Sequence, residues 1–141
     1  MATQTFIDAC VLMAAARGTD DIASRAMAIL DDPNREFVSS SFVKLEVLPK
    51  SVYEKQQAEA EFYEAFFDAV LHWPKSYDHI VEKSLVQAAT HGLSALDALH
   101  VTTAIELGVN ELITAEKPGK PLNRVTTVTV TSLRSPYHDL K

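Results

Sequence analysis

The sequence predicts an α/β protein built on a short parallel β-sheet. Short β-prone segments alternate with longer segments of helical periodicity, and helical crossovers between strands favour parallel pairing. The chain has 141 residues, 47% of them apolar, which suits one hydrophobic core. The sequence contains no internal repeats, linkers or low-complexity tracts. We therefore interpret residues 1–141 as a single domain, with a loose tail from about residue 135.

Four segments are predicted to form strands. Residues 3–7 are β-prone, and residues 36–39 and 111–114 are short segments that fit buried strands. Residues 125–131 contain only valine and threonine, both β-branched, which favours a last strand. The predicted order is one strand, helices, a second strand, more helices and then two strands.

Six segments are predicted to form helices from their periodicity, capping residues and breakers. The segment 56–72 is the most clearly amphipathic, because its aromatic residues share one face and its acidic residues lie outside that face. The predicted helices cover residues 9–16, 22–30, 56–72, 77–90 and 93–107, together with a helix that Ser40 or Ser41 caps and that runs through Leu48.

The net charge of −6 is unevenly distributed. Residues 1–96 contain 14 acidic and 8 basic residues, whereas residues 97–141 contain 5 of each. A typical nucleic-acid-binding domain is more basic than this. The composition therefore argues mildly against an RNA substrate, unless a metal ion reverses the sign of the charge at the site.

The sequence predicts neither membrane insertion nor secretion. Its apolar runs stay far below the roughly 18 residues that indicate a spanning helix. The N-terminus lacks the basic region of a signal peptide, and Asp8 interrupts its apolar run. The single cysteine, Cys10, cannot form an internal disulfide. We therefore expect a cytoplasmic protein without a membrane partner.

Four acidic residues are candidates for a catalytic site. Asp8 directly follows the first predicted strand, and Glu116 follows the third with one residue between. Open parallel sheets form their sites at the carboxyl ends of strands, so these two acids are expected at one edge. Glu46 and Asp97 lie on predicted helices among apolar neighbours, where an unpaired carboxylate costs free energy.

Each of these acids has an ordinary explanation by itself, as a helix cap or a solvated side chain. Asp97 is the hardest to explain in that way, because it falls four residues after Leu93 and four before Val101 on one apolar stripe. No set rich in histidine or cysteine indicates zinc. A site of carboxylate oxygens alone suits Mg²⁺ or Mn²⁺.

The segments FIDACVL, SSFVKLEVL, LSALDALHVTTAIELGV and ELITAEK resemble the motifs of the PIN-domain family, in particular the VapC-like toxin ribonucleases. The resemblance covers essentially the full chain. It implies a three-layer α/β/α sandwich around a four- or five-stranded parallel sheet. It also implies a metal-dependent endoribonuclease that is the toxin of a type II toxin–antitoxin pair. A protein antitoxin and a homodimer formed by helices of the first half are further implications.

By the same resemblance, the catalytic and metal-binding residues are Asp8, Glu46, Asp97 and Glu116, and the hydroxyl of Thr114 supports them. Asp8 and Asp97 are the first metal ligands. Glu46 ligates the metal or orients a water, and Glu116 completes a second site or positions the nucleophile. Phosphodiester hydrolysis needs this metal to activate water and to neutralise phosphate charge.

The sequence departs from the family's pattern beside two of these acids. Ala9 and Cys10 stand where many members have Thr or Ser and then a small polar residue, which removes possible hydrogen bonds. Glu116 stands where the fourth acid is usually Asp. These departures leave a second interpretation open, in which a degenerate PIN domain binds RNA or protein without cutting it.

Other residues near the motifs have two interpretations each. Lys117, Lys120 and Arg124 form either a solvated loop or a rim that contacts phosphates without reading bases. His100 follows Asp97 by three residues and could face the cleft, but a packing role is the more common one for such a histidine. Cys10 is expected to be a small buried residue.

A third hypothesis is a phosphotransfer protein with Asp8 as its nucleophile. A dehalogenase-like phosphatase would place a second Asp two residues later, where this chain has Cys10. A receiver domain would need an acidic pair near the end of its first strand, and the fit is poor. The metal-dependent ribonuclease remains the leading hypothesis.

Overall fold

The structure is a computed structural model that describes residues 2–134. The predicted loose tail lies outside these residues. The elements in chain order are β1 (Thr3–Ile7), α1 (Ala9–Arg17), α2 (Asp21–Leu30), β2 (Arg35–Val38), α3 (Ser41–Tyr53), α4 (Gln57–Ala69), α5 (Tyr77–His91), α6 (Ala95–Glu106), β3 (Glu111–Thr114), a 3₁₀ helix (Pro121–Arg124) and β4 (Val130–Ser132).

The four strands form one parallel sheet in the order β2-β1-β3-β4. The predicted α/β sandwich with a short parallel sheet is thereby confirmed. Strand β1 lies in the centre, where Phe6 pairs with Val38 on one side and with Leu112 on the other. Because β1 and β3 are neighbours and parallel, Asp8 and Glu116 leave the sheet at the same edge.

The edge beyond β2 shows why the predicted helix 56–72 ends early. Val70 is extended, the Leu71 amide donates to the Phe37 carbonyl at 3.2 Å, and the Ser39 amide donates to the His72 carbonyl at 3.3 Å. Residues 70–72 therefore run along β2, where Val38 and His72 form a single parallel bridge. Backbone hydrogen bonds to the sheet replace those that another helical turn would have made.

The last strand differs most from its prediction. Residues 125–131 were expected to be extended, but only Val130–Ser132 pair with β3. Strand β3 has four residues, so a longer partner would find no backbone groups to bond. Residues 125–129 of the predicted strand are irregular, and they follow the 3₁₀ helix Pro121–Arg124, with Val125 buried directly after that helix.

Helix α6 begins after a left-handed turn at Gly92, where φ is 65°. The Ser94 hydroxyl caps the helix by accepting from the Asp97 amide at 3.3 Å. The interior face of α6 carries Ala98, Val101 and Ala104, all buried against the sheet's core. Leu96, the residue before Asp97, is 41% exposed.

Within residues 2–134, no helix combines the length and the apolar character that crossing a membrane would require.

Candidate functional site

Asp8 lies at the centre of the site, directly after β1. It is the N-cap of α1, where its Oδ1 accepts from the Ala9 amide at 2.8 Å. Its Oδ2 accepts from the Thr114 hydroxyl at 2.8 Å and from the Cys10 thiol at 3.2 Å. The side chain is almost fully buried, so these donors replace water as its partners. The carboxylate is therefore held in one orientation.

Cys10 is more than the small buried residue that the sequence predicts. Its sulfur accepts from the Ala115 amide at 3.2 Å and lies 3.4 Å from the Thr114 hydroxyl. Burial raises the pKa of the thiol, and the negative charge of Asp8 raises it further. Cys10 therefore supplies part of the hydrogen bonding that its departure from the family's pattern appeared to remove.

Glu116 leaves the end of β3 on a backbone that several groups hold in place. Its amide donates to the Thr114 hydroxyl at 3.1 Å, and its carbonyl accepts from the Ser132 hydroxyl at 2.6 Å. The guanidinium of Arg134 donates to the neighbouring Ala115 carbonyl at 2.8 Å. Ser132 of β4 and Arg134 after it thus hold the backbone of Ala115 and Glu116 in place.

Glu46 reaches the site from the middle of α3 and meets His100 of α6. The Nε2 atom of His100 hydrogen-bonds to Glu46 Oε1 and lies 4.0 Å from Asp8 Oδ1. His100 is buried and packs its ring against Phe6. Burial lowers its pKa, but the hydrogen bond with Glu46 and the charge of Asp8 outweigh this effect, so the pKa of His100 is raised.

Asp97 lies one helical turn before His100, in the first turn of α6. Its partial burial raises the pKa of its carboxyl, and the charge of Asp8 raises it further. His100 opposes this rise, and Glu116 adds to it. Because the pKa of Asp97 is raised, lost hydration and repulsion from like charges outweigh the favourable contacts of its carboxylate when no cation is bound.

The site brings together atoms of the types that ligate divalent cations. One ligand atom each from Asp8, Glu46 and His100 lies within 4.8 Å of the other two. Carboxylate oxygens suit Mg²⁺ and Mn²⁺. The hydrogen bonds to the buried Asp8 fix the orientation of its carboxylate, as supporting residues do for metal ligands. Asp97 and Glu116 lie outside this group of three but act on one another electrostatically.

Three basic residues after the fourth acid, which we call the basic rim, lie on the surface of the protein. Lys117, Lys120 and Arg124 are exposed. The Asn123 side chain donates to the Lys117 carbonyl at 2.8 Å, and the Lys120 amide donates to the same carbonyl at 3.0 Å. The predicted loop is therefore partly a 3₁₀ helix, and hydrogen bonds to the Lys117 carbonyl hold its backbone near the end of β3.

A cleft of about 340 Å³ opens beside Cys10 and Glu116. Its apolar wall includes Met13 and Ile22, and Arg134 also lines it. Arg134 is not among the residues that the sequence predicts for the site, because it comes near Glu116 only after β4 joins the sheet. The sequence allows two interpretations of His100, packing or facing the cleft, and the structure shows contacts of both kinds, because its ring packs against Phe6 and its Nε2 hydrogen-bonds to Glu46.

Comparisons with known proteins agree with this architecture. Residues 5–118 match the family described as the PIN domain. The chain therefore belongs to the PIN-domain family. A comparison with curated proteins finds no significant match.

The solved structures with similar folds include three assemblies. VapBC2 from Rickettsia felis bound to a promoter DNA fragment has a TM-score of 0.68 and 13% identity, covering 92% of this chain and 98% of that one. A toxin–antitoxin complex from Klebsiella pneumoniae has a TM-score of 0.69 and 21% identity, covering 92% and 97%. DNA-bound VapBC from Salmonella typhimurium has a TM-score of 0.65 and 15% identity, covering 94% and 99%. At these identities the similarity concerns the fold.

Proposed function

We propose that this protein is a Mg²⁺- or Mn²⁺-dependent endoribonuclease and the toxin of a type II toxin–antitoxin pair. The observation that carries the proposal is the convergence of the Asp8 and Glu46 carboxylates at the carboxyl edge of a PIN-domain sheet, where one oxygen of each lies within 4.8 Å of the other and of a ring nitrogen of His100. Asp97 adds a further carboxylate, which interacts electrostatically with Asp8 and His100. A group of carboxylates that are buried, as Asp8 is, or partly buried, as Glu46 and Asp97 are, is unfavourable unless a positive charge offsets theirs.

The proposed roles follow from where each side chain is held. Asp8 and Asp97 bind the cation, which when present neutralises phosphate charge and lowers the pKa of water. Asp8 is suited to this role because its hydrogen-bond donors, Thr114 and Cys10, fix its orientation. Glu46 binds the cation or orients the attacking water. Glu116 positions the nucleophile or completes a second cation site.

The RNA path is proposed to follow the basic rim and the cleft beside Glu116. Lys117, Lys120 and Arg124 would hold phosphates, because they are exposed and follow the fourth acid directly. Arg134 adds a positive group on the cleft wall. These contacts would offset the acidic net charge of the chain only locally, where the RNA approaches the carboxylates.

A protein antitoxin is the proposed partner, and the cytoplasm the proposed location. The structural neighbours described above are VapBC or toxin–antitoxin complexes. The antitoxin should place an Arg or Lys in the acidic site, since a side-chain cation satisfies the same carboxylates as a metal. A homodimer is proposed as well, by resemblance to the VapC-like proteins.

The function is tested by incubating the purified protein with a mixed RNA pool, with Mg²⁺, with Mn²⁺ and with a chelator. We expect cleavage only with metal, and at least a 100-fold loss in Asp97→Asn. Asp68→Asn is the matched control, because Asp68 is an exposed aspartate on α4. Cleavage that survives chelation would contradict the proposed metal dependence. Metal binding without any cleavage would favour the degenerate, RNA- or protein-binding PIN domain.

A further inference from the structure

The proposed reaction leaves the function of His100 open. This residue is 1% exposed, and its Nε2 hydrogen-bonds to Glu46 across 54 positions of sequence. Its ring packs against Phe6 of the central strand at a centroid separation of 5.6 Å. A buried imidazole that faces an acidic cluster either ligates the cation itself or orients a residue that does.

The two nitrogens of His100 have different surroundings, which separates these roles. Among residues 2–134, no hydrogen-bond partner is found for the buried Nδ1. Ligation through Nε2 would require the neutral ring to carry its proton on Nδ1, as a buried donor without an acceptor. Metal-ligating histidines almost always donate that second N–H to a partner. The surroundings of Nδ1 therefore disfavour ligation.

A neutral ring whose single proton is on Nε2 satisfies the observed geometry and leaves no buried N–H without an acceptor. An ionised Glu46 can only accept hydrogen bonds, so the close Nε2–Glu46 contact requires the proton to be on Nε2. The same N–H lies 4.0 Å from Asp8 Oδ1, between the two carboxylates. In this position it holds one Glu46 oxygen and leaves the other oxygen available to the site.

Resting on the proposed function, we propose that His100 is a positioning residue for the cation site, which acts through Glu46 and does not ligate the metal. Glu46 needs such a partner because it comes from a helix and its side chain is 23% exposed. The donor on α6 selects one of the rotamers that a free glutamate would sample. The backbone of α6, which also carries Asp97, thereby fixes the distance between two proposed metal-binding acids.

The inference is tested with three substitutions that separate the two ring nitrogens. The amide nitrogen of His100→Gln mimics Nε2 and can still donate to Glu46. The amide of His100→Asn mimics Nδ1 and falls short of Glu46. His100→Leu fills the space without a donor. Loss of such a supporting contact usually lowers metal affinity by about 10- to 100-fold.

Mn²⁺ affinity, measured by calorimetry, is the primary readout. We expect His100→Gln to bind Mn²⁺ nearly as tightly as the wild type, and His100→Asn and His100→Leu to bind about 10- to 100-fold more weakly. In a Glu46→Ala background, His100→Leu should add no further loss, because the residue through which it acts is gone. Thermal melting without metal identifies variants that do not fold. If His100→Leu does not fold, the Mn²⁺ affinities of His100→Gln and His100→Asn decide whether His100 acts through Nε2.

Electron paramagnetic resonance of bound Mn²⁺ gives an independent readout. We expect no hyperfine coupling to a histidine nitrogen in wild-type protein, with ¹⁵N-labelled protein as the check on assignment. Coupling that disappears in His100→Gln would make His100 a ligand and overturn the inference. Equal weakening in the Gln and Asn variants, or an undiminished effect in the Glu46→Ala background, would also overturn it. If wild-type protein binds neither Mn²⁺ nor Mg²⁺, the proposed function fails together with this inference.

Discussion

At the scale of the residue, Asp97 brings together two opposing effects. A carboxylate in the first turn of a helix gains about 0.3–1 kcal/mol from the helix dipole. Burial and the charges of Asp8 and Glu116 nevertheless raise the pKa of Asp97, with burial the largest cause. The unfavourable effects therefore exceed the favourable ones, and a carboxylate at this position is better explained by a cation than by capping alone.

Asp97→Asn should leave the melting temperature of the metal-free protein unchanged or slightly higher, since it keeps the size of the side chain and removes a repelled charge. The rise in melting temperature on adding Mg²⁺ or Mn²⁺ should shrink, because ligands that bind only the native state stabilise it by mass action. Melting curves with and without metal provide the measurement. A variant that melts several degrees lower and responds fully to metal would show that Asp97 is structural.

Asp8→Asn should behave differently and melt lower even without metal. Asp8 caps α1 and accepts from Thr114 and Cys10, so an amide there would turn one acceptor into a donor facing other donors. An unsatisfied buried group costs about 1–3 kcal/mol. Chemical denaturation compares the two variants. Equal unfolding free energies for wild type and Asp8→Asn would mean that the site rearranges around the amide.

At the scale of the element, α1 and α4 are joined by a hydrogen-bonded ion pair. The Arg17 guanidinium donates twice to Glu59, at 3.0 and 2.9 Å, and the buried Tyr63 hydroxyl donates to the same carboxylate at 2.9 Å. The hydrogen bond from Arg17 is the main cause that lowers the pKa of Glu59, while burial opposes it. The pair thus holds the C-terminal end of α1, the helix whose N-cap is Asp8.

Glu59→Gln should destabilise the protein at neutral pH by about 1 kcal/mol or less, because Arg17 is largely exposed. The pKa of Glu59 is lower in the folded state, so its contribution is present above the unfolded value of about 4.3 and is lost as pH falls through the lowered folded value. The difference from wild type should therefore shrink in acid. Denaturation between pH 7 and pH 3 measures it, with exposed Glu64→Gln on α4 as the control. A difference independent of pH would contradict the assignment.

The basic rim after β3 gives a second prediction at this scale. Replacing Lys117, Lys120 and Arg124 together with Ala should weaken RNA binding and flatten its dependence on salt, because fewer counterions are released. The side chains are exposed, so little change in folding is expected. A variant without the exposed Lys50, Lys75 and Lys83 has the same charge loss elsewhere and serves as control. RNA affinity and salt dependence equal to those of the wild type would show that these three side chains are solvated and do not contact RNA.

At the scale of the whole molecule, the proposed homodimer needs an apolar surface that remains exposed in one chain. Helix α3 in the first half offers Leu45, Val52 and Tyr53, which are 68%, 62% and 86% exposed. Leu45 directly precedes Glu46, so a contact there would lie next to the site. Exposed apolar groups clustered in this way are typical of association surfaces.

Leu45→Glu combined with Val52→Glu should shift the protein from dimer to monomer, because association would bury two unpaired charges. Light scattering at micromolar concentration provides the measurement. Leu71→Glu combined with Val86→Glu introduces the same charges at exposed apolar positions outside α3 and should leave the dimer intact. Wild-type protein that is only monomeric at this concentration would contradict the proposed dimer.

The sequence by itself determined the order of strands and helices and the parallel α/β class. It also put Asp8 and Glu116 after the first and third strands, and a cap at Ser40 or Ser41 before α3, which Ser40 provides. These features follow from local causes: the period of apolar residues, the stiffness of β-branched side chains and the donors left free at helix ends. Each can be evaluated within a few residues.

Only the tertiary structure decided where α4 and β4 end, and which side chains meet at the acids. Residues 70–72 left the helix because β2 offered backbone partners, and β4 was limited by the length of β3. The contact of His100 with Glu46 and the place of Cys10 against Ala115 join residues that are far apart in sequence. Periodicity shows which face of an element is buried, but the partner on that face is selected by packing among elements that fold together.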